Sequence, residues 1–170
     1  LASCEVETRG GGRRRIRSED EKTTITVLTG GELTLRLRIP RWSSSCLLTL
    51  NGTTVGTKDG EYLTVARTFQ SGDTLIYDTP FQTVLEPSDA EDVFTLRYGP
   101  YQMVGIQPDC SELIGTPDSG WMAQPQIYPE GEQYCLQLDG EQTLPLQKYG
   151  LITHQTFTTY FKRADGQPTA

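Results

Sequence analysis

The sequence is short of the residues that catalysis and cofactor binding usually need. Its 170 residues include one histidine (His154), one asparagine (Asn51) and two methionines. A Ser-His-Asp or Cys-His nucleophile needs an imidazole beside it. The lone His154 falls in a stretch, His154 to Phe161, whose threonines and aromatics read as a closing strand, so a structural imidazole is the favoured reading. Gly-x-Ser-x-Gly and the phosphate-cradling Gly-x-x-x-x-Gly-Lys are both missing, and Gly10-Gly11-Gly12 runs into arginines rather than opening a helix. No run approaches 18 apolar residues, which excludes a helical membrane span. No window of a dozen residues holds an i, i+3, i+4, i+7 apolar stripe between strong breakers, so helix is expected to be absent or confined to a turn or two. The four cysteines (Cys4, Cys46, Cys110, Cys135) are far apart, with no Cys-x-x-Cys and no histidine nearby, which weakens a zinc site. They permit three pairings, and the favoured reading is buried thiols or one disulfide.

What is present points to strands. Seventeen glycines and ten prolines are spread along the chain, as punctuation between short strands would be. Leu33, Leu35, Leu37 and Ile39 alternate with Thr34, Arg36, Arg38 and Pro40, the period of a half-buried strand that Pro40 ends. Leu48 and Leu50 lead into Asn51-Gly52, the preferred pair for a two-residue type I′ hairpin. Further strands are expected at Tyr62 to Phe69, Thr74 to Tyr77, Phe81 to Leu85, Val93 to Tyr98, Tyr101 to Ile106 and Tyr134 to Leu138. Turn residues recur about every ten positions, the spacing of a sandwich or barrel. The fold class is therefore all-β, an antiparallel β-sandwich of jelly-roll-like kind with little or no helix.

Charge is uneven. Residues 1–42 hold nine of the fifteen basic residues and six acids, whereas 43–170 carry a balance of −10. An acidic body repels phosphate backbones, so nucleic acid is a poor partner. The run Arg13-Arg14-Arg15-Ile16-Arg17 suggests either an arm for an anionic surface or, as the favoured reading, a solvated connector whose charges pair with the acids after it. Four segments are expected: a flexible lead-in over 1–22, a sandwich over 23–106, an irregular segment with closing strands over 107–163, and a linker over 164–170. The start at Leu1 and the composition of the tail suggest that both ends are cuts or processing points.

Candidate binding residues are few. Trp121, Tyr101 and Tyr62 could present rings to a sugar, with Trp121 the best exposed candidate in its Pro- and Gly-rich stretch, although core packing is favoured even there. Trp42 at a strand end reads as a cap on the core. Glycosidases use two carboxylates across a sugar bond, and Glu86, Asp89, Glu91 and Asp92 cluster in one loop. Acids in a polar loop are normally solvated, or hold a calcium ion at best. Asn51-Gly52-Thr53 is a glycosylation sequon that would matter only in a eukaryotic secretory pathway. An extracellular or secretory location is open, and the compartment is otherwise unread.

Several stretches resemble one family. Leu35-Arg36-Leu37-Arg38-Ile39-Pro40-Arg41-Trp42, followed by Leu48-Thr49-Leu50-Asn51-Gly52, is similar to an LRIPxW strand and an Asn-Gly hairpin of glycoside hydrolase family 127, the β-L-arabinofuranosidases and their relatives. Gly60 to Asp73, then Leu75 and Pro80-Phe81, resembles the family's GYLxLxRxWxxGDxLxLxxPMxxR stretch, with Phe69 where tryptophan is usual and Phe81-Gln82-Thr83 departing from Met-x-x-Arg. Gly99-Pro100-Tyr101 and His154-Gln155-Thr156-Phe157 are similar to later family strands. The resemblance implies a non-catalytic β region downstream of an (α/α)6 barrel, where a zinc-bound cysteine acts as nucleophile beside a glutamate. This chain has neither the adjacent cysteines nor the Glu-x-Cys of that machinery, so no catalytic residue and no cofactor transfers to it, and its cysteines are expected to be structural. The implied role is an accessory domain, not itself an enzyme, of a parent glycoside hydrolase of EC 3.2.1 type. Its implied partner is the upstream barrel of the same polypeptide, with a homodimer contact as a further expectation. A carbohydrate-binding module for arabinose-containing glycans is the alternative, and a free-standing hydrolase using the loop carboxylates or His154 the lesser one.

Overall fold

A computed structural model describes residues 2–7, 13–90, 92–106, 112–113 and 120–163. The chain divides into two compact units, Leu1–Phe81 and Gln82–Ala170. Each is all-β.

The first unit contains β1 (Ala2–Glu7), β2 (Arg13–Glu19), β3 (Lys22–Val27), β4 (Gly31–Arg38), β5 (Leu47–Leu50), β6 (Thr53–Thr54), β7 (Thr57–Asp59), β8 (Tyr62–Phe69) and β9 (Thr74–Asp78). Among the described residues these form two antiparallel sheets, one in the order β1-β2-β3-β9-β5-β6 and one in the order β4-β8-β7. Alternation sends Ile25, Val27, Leu48, Leu50, Leu75 and Tyr77 inward from the first sheet. They meet Val65 and Phe69 of β8 and the half-buried Leu33, Leu35 and Leu37 of β4, so the core lies between two layers as in a sandwich. Arg36 and Arg38 fall on the outer face, as the alternation predicts. The Tyr77 hydroxyl donates to the Arg38 carbonyl at 2.6 Å and ties one layer to the other. Asn51 and Gly52 both take positive φ (49° and 85°), the type I′ turn expected of that pair.

The lead-in expected over 1–22 is instead part of this sheet: β2 pairs β3 along its length, and β1 pairs β2. The reason is visible in the alternation of β2. Arg13, Arg15 and Arg17 point outward, while Arg14 and Ile16 turn inward. Arg14 is buried, and its Nη1 donates to the Thr29 carbonyl at 2.7 Å and the Arg13 carbonyl at 2.9 Å. Backbone register places Glu7 opposite Arg13 and Glu5 opposite Arg15.

The second unit contains β10 (Thr83–Pro87), β11 (Val93–Tyr98), β12 (Tyr101–Gly105), β13 (Glu112–Leu113), a helical turn α1 (Gly120–Ala123), β14 (Gln126–Glu130), β15 (Gln133–Gln137), β16 (Thr143–Lys148), a 3-10 turn (Tyr149–Leu151) and β17 (Phe161–Arg163). One path through its sheet runs β10-β11-β12-β16-β15-β14, all antiparallel, and β17 extends the sheet along the first residues of β11. The sheet curls until its outer strands touch: the Ile127 N–H of β14 donates to Thr83 Oγ1 of β10 at 3.1 Å. Inside the curl lie Phe94, Leu96, Met103, Ile127, Leu136, Leu144, Leu146 and Phe161. Thr83→Val keeps the shape but leaves the buried Ile127 N–H without its acceptor. A loss of about 1–3 kcal/mol in urea-induced unfolding is expected.

The division therefore falls after Phe81 and not after residue 106, and strand β10 begins at Thr83 rather than Phe81. The closing strand expected over His154 to Phe161 is shorter. His154 sits in a bend, Thr158 makes one bridge to Gly105, and only Phe161–Arg163 is a named strand. β-propensity alone does not make a strand where no partner edge runs alongside.

Candidate functional site

The three proposed ring contacts are divided between the two units. Tyr62 lies in the first unit, at the start of β8 opposite Arg38, and the Arg36 guanidinium sits over its ring at 4.6 Å from the centroid. Tyr101 and Trp121 lie in the second unit. Trp121, the candidate for exposure, is 6 % exposed and belongs to the core inside the curled sheet. The helical turn that carries it is anchored from a distance, since the Trp121 N–H donates to Asp139 Oδ1 at 3.1 Å. The turn folds the indole into the core, the placement that the sequence favours for it over exposure.

Tyr101 belongs to a cluster that reading the sequence did not assemble. The inward series of four strands each continue past the aliphatic core to one more residue: Leu96 to Tyr98, Met103 to Tyr101, Leu136 to Tyr134, and Leu146 to Lys148. The Lys148 ammonium lies 3.7 Å from the Tyr101 ring centroid and 5.3 Å from that of Tyr134. Tyr98 and Tyr134 meet at 5.8 Å, their planes tilted by 60°. Such ammonium–ring contacts are worth about 0.5–2 kcal/mol, depending on desolvation. Lys148 thus lies over one face of the Tyr101 ring. Two-residue periodicity sets the face of each residue on its own strand, but bringing the four together took the register between strands.

The described carboxylates of loop 86–92 are Glu86, Asp89 and Asp92. Glu86 is held by Arg97 across the β10–β11 ladder at 3.0 Å. Asp89 and Asp92 are exposed in a tight turn in which Ser88 N–H donates to the Val93 carbonyl at 2.8 Å, and Glu91 lies outside the described residues. A half-open cavity of about 450 Å³ beside the loop is walled by Leu85, Val93, Phe94 and Met122, with Ser88 and Asp92 among its lining. His154 is exposed.

Cys46 and Cys135 are free thiols, in separate units. Cys4 lies on β1 opposite Ile16, and Cys110 lies outside the described residues. Burial, reinforced by the neighbouring Glu130 carboxylate, pushes the Cys135 thiol up to about 11, so it is not a thiolate near neutral pH. Burial and a hydrogen bond with Cys46 likewise raise the Tyr77 phenol above its ordinary value. Among the described residues no three or more His, Cys, Asp or Glu side chains converge as metal ligands would.

Asn51, the sequon residue, has structural work. Its Nδ2 donates to Asp73 Oδ1 at 2.9 Å, and its Oδ1 accepts from the Thr74 N–H at 2.9 Å, which joins two neighbouring turns. The Gln70 N–H, and then Asn51, hold the Asp73 carboxyl below its ordinary value of 3.8. A depressed carboxyl stabilises the fold above its unfolded pKa, and that contribution fades as pH falls through the folded one. The wild type should therefore lose its advantage over Asp73→Asn as acid unfolding is followed downward from about pH 4; parallel curves would count against the clamp.

Residues 15–81 match the family model described as Beta-L-arabinofuranosidase, GH127 middle domain. This bears out the family resemblance read from the sequence, and the matched stretch lies within the first unit. No curated protein matches the chain in sequence. Among solved structures, the chain is similar to a GH127 β-L-arabinofuranosidase from Geobacillus stearothermophilus T6 at a TM-score of 0.68 and 15 % identity, covering 95 % of this chain and 32 % of that one. It is similar to the GH127 β-arabinofuranosidase BT3674 at a TM-score of 0.72 and 13 % identity, covering 95 % and 33 %. A third similar structure is titled a glycoside hydrolase, at a TM-score of 0.65 and 16 % identity, covering 96 % and 34 %. At these identities the likeness is one of fold, and it includes both units. The chain spans about a third of the length of each of these structures.

Proposed function

We propose that this chain is the non-catalytic β region of a GH127-like glycoside hydrolase, acting as an accessory domain that packs against and supports a catalytic barrel in the same polypeptide. The observation that carries this reading is the asymmetry of coverage: almost all of this chain matches about a third of each solved relative. The middle-domain match over 15–81 supports it independently. The remaining side chains fit a supporting role, since Glu86 is committed to Arg97, Trp121 to the core and Asn51 to a turn clamp.

The test is to assay the isolated chain on an aryl β-L-arabinofuranoside and on arabinan, beside the longer polypeptide its gene encodes. The isolated chain should release no sugar and retain no arabinan, and deleting it from the longer polypeptide should lower that protein's thermal stability. Turnover by the isolated chain that His154→Ala or Glu86→Gln abolishes would establish a free-standing hydrolase instead.

A further inference from the structure

The stretch from Tyr149 to Tyr160 (Tyr-Gly-Leu-Ile-Thr-His-Gln-Thr-Phe-Thr-Thr-Tyr) contains no Asp, Glu, Lys or Arg, in a chain where 22 % of residues are charged. It also holds four of the eight large hydrophobic side chains that stand exposed among the described residues: Tyr149 (53 %), Leu151 (61 %), Phe157 (38 %) and Tyr160 (61 %). The segment is largely irregular, with one 3-10 turn at its start and one bridge, Thr158 to Gly105, near its end. Tyr149 and Phe157 meet edge to face at 5.7 Å, which joins two of these four side chains across the segment. Single exposed hydrophobics are ordinary, but a charge-free cluster of aromatic and aliphatic side chains has the composition of an interface core.

We infer that this patch is the surface by which the chain docks on another domain of one longer polypeptide. The inference rests on the accessory-domain reading and names the face that reading leaves open. Two observations choose this occupant. Each solved relative carries about two thirds of its chain beyond the part matched here, so in such an architecture a covalent neighbour is at hand. The segment itself also has no Asp, Glu, Lys or Arg to steer a transient encounter, and permanent interfaces are the more apolar kind. A glycan platform is the poorer fit, because Leu151 is as exposed as any ring in the patch and offers no flat face. Nucleic acid is excluded by the lack of any basic residue in the segment.

Hydroxyl-radical footprinting of the isolated chain and of the longer polypeptide encoded by its gene tests this. Oxidation of Tyr149, Leu151, Phe157 and Tyr160 should fall about tenfold in the longer polypeptide, as water is excluded from an interface core. Tyr128, exposed elsewhere on the second unit, serves as the reference and should not change. Equal labelling of the patch in both proteins overturns the inference while leaving the accessory reading intact. Protection in the isolated chain that grows with protein concentration assigns the patch to a second copy, and protection by added arabinan assigns it to glycan; either overturns it. A gene encoding nothing beyond this chain overturns the accessory reading and the inference together. As a second arm, Leu151→Asp with Tyr160→Asp should leave the circular dichroism of the isolated chain unchanged and lower the melting temperature of the longer polypeptide; an unchanged melting temperature also counts against docking.

Discussion

Trp121→Ala should cost the second unit about 3–5 kcal/mol, a large fraction of a typical domain's total stability, without any selective loss of sugar affinity. The indole is 6 % exposed and packs with Leu136, Leu138, Leu144 and Leu146 inside the curled sheet, so its removal leaves a cavity that the surrounding strands close only in part. α1 has four residues and cannot hold itself by helix propensity. Its place depends on the Trp121 N–H bond to Asp139 and on the burial of that ring. Urea unfolding followed by circular dichroism, alongside arabinan affinity, separates the outcomes. Native-like stability with abolished glycan binding would return Trp121 to the role of a sugar contact.

Phe69→Ala should be about as damaging to the first unit, at roughly 3–5 kcal/mol. Phe69 is 1 % exposed and ends β8, where the two layers of the sandwich meet. Its backbone is as constrained as its ring, for a Cβ built on Gly30 would lie 2.8 Å from the Phe69 carbonyl oxygen. The related family usually places tryptophan here. In this closed core Phe69→Trp should also destabilise, by the smaller cost of overpacking, about 1–3 kcal/mol. The order wild type, then Trp, then Ala in chemical denaturation is the expected result. An alanine variant as stable as the wild type would mean that the core is looser than the buried side chains indicate.

The parts of this fold that could be read from residues are those governed by local rules. Leu33, Leu35 and Leu37 facing inward, Arg36 and Arg38 facing out, and the Asn51-Gly52 turn all follow from two-residue alternation and the sterics of positive φ. What escaped depended on partners distant in sequence. Arg14 reads as one more member of a basic run until β3 places it inward beneath the Thr29 carbonyl. Core packing is the favoured place for Trp121, but the partner that holds its turn, Asp139, lies eighteen residues on and could not be read locally. The division after Phe81 has no glycine-rich or polar linker to announce it, only Thr79-Pro80-Phe81 running on toward a new strand. The Tyr98, Tyr101, Tyr134 and Lys148 cluster required the register of four strands at once.

The single side-chain bond between Thr83 and Ile127 also governs how the molecule meets its own kind. β10 pairs only with β11 and β14 only with β15 among the described strands, so each presents one edge without a backbone ladder. While the curl is closed, the two edges shelter one another. Once it opens, both offer bare amides and carbonyls to any extended segment in reach, and Val84 on β10 is already exposed beside that edge. Losses on refolding should therefore begin at this seam, by strand addition between chains, and should rise with protein concentration well before either core has melted.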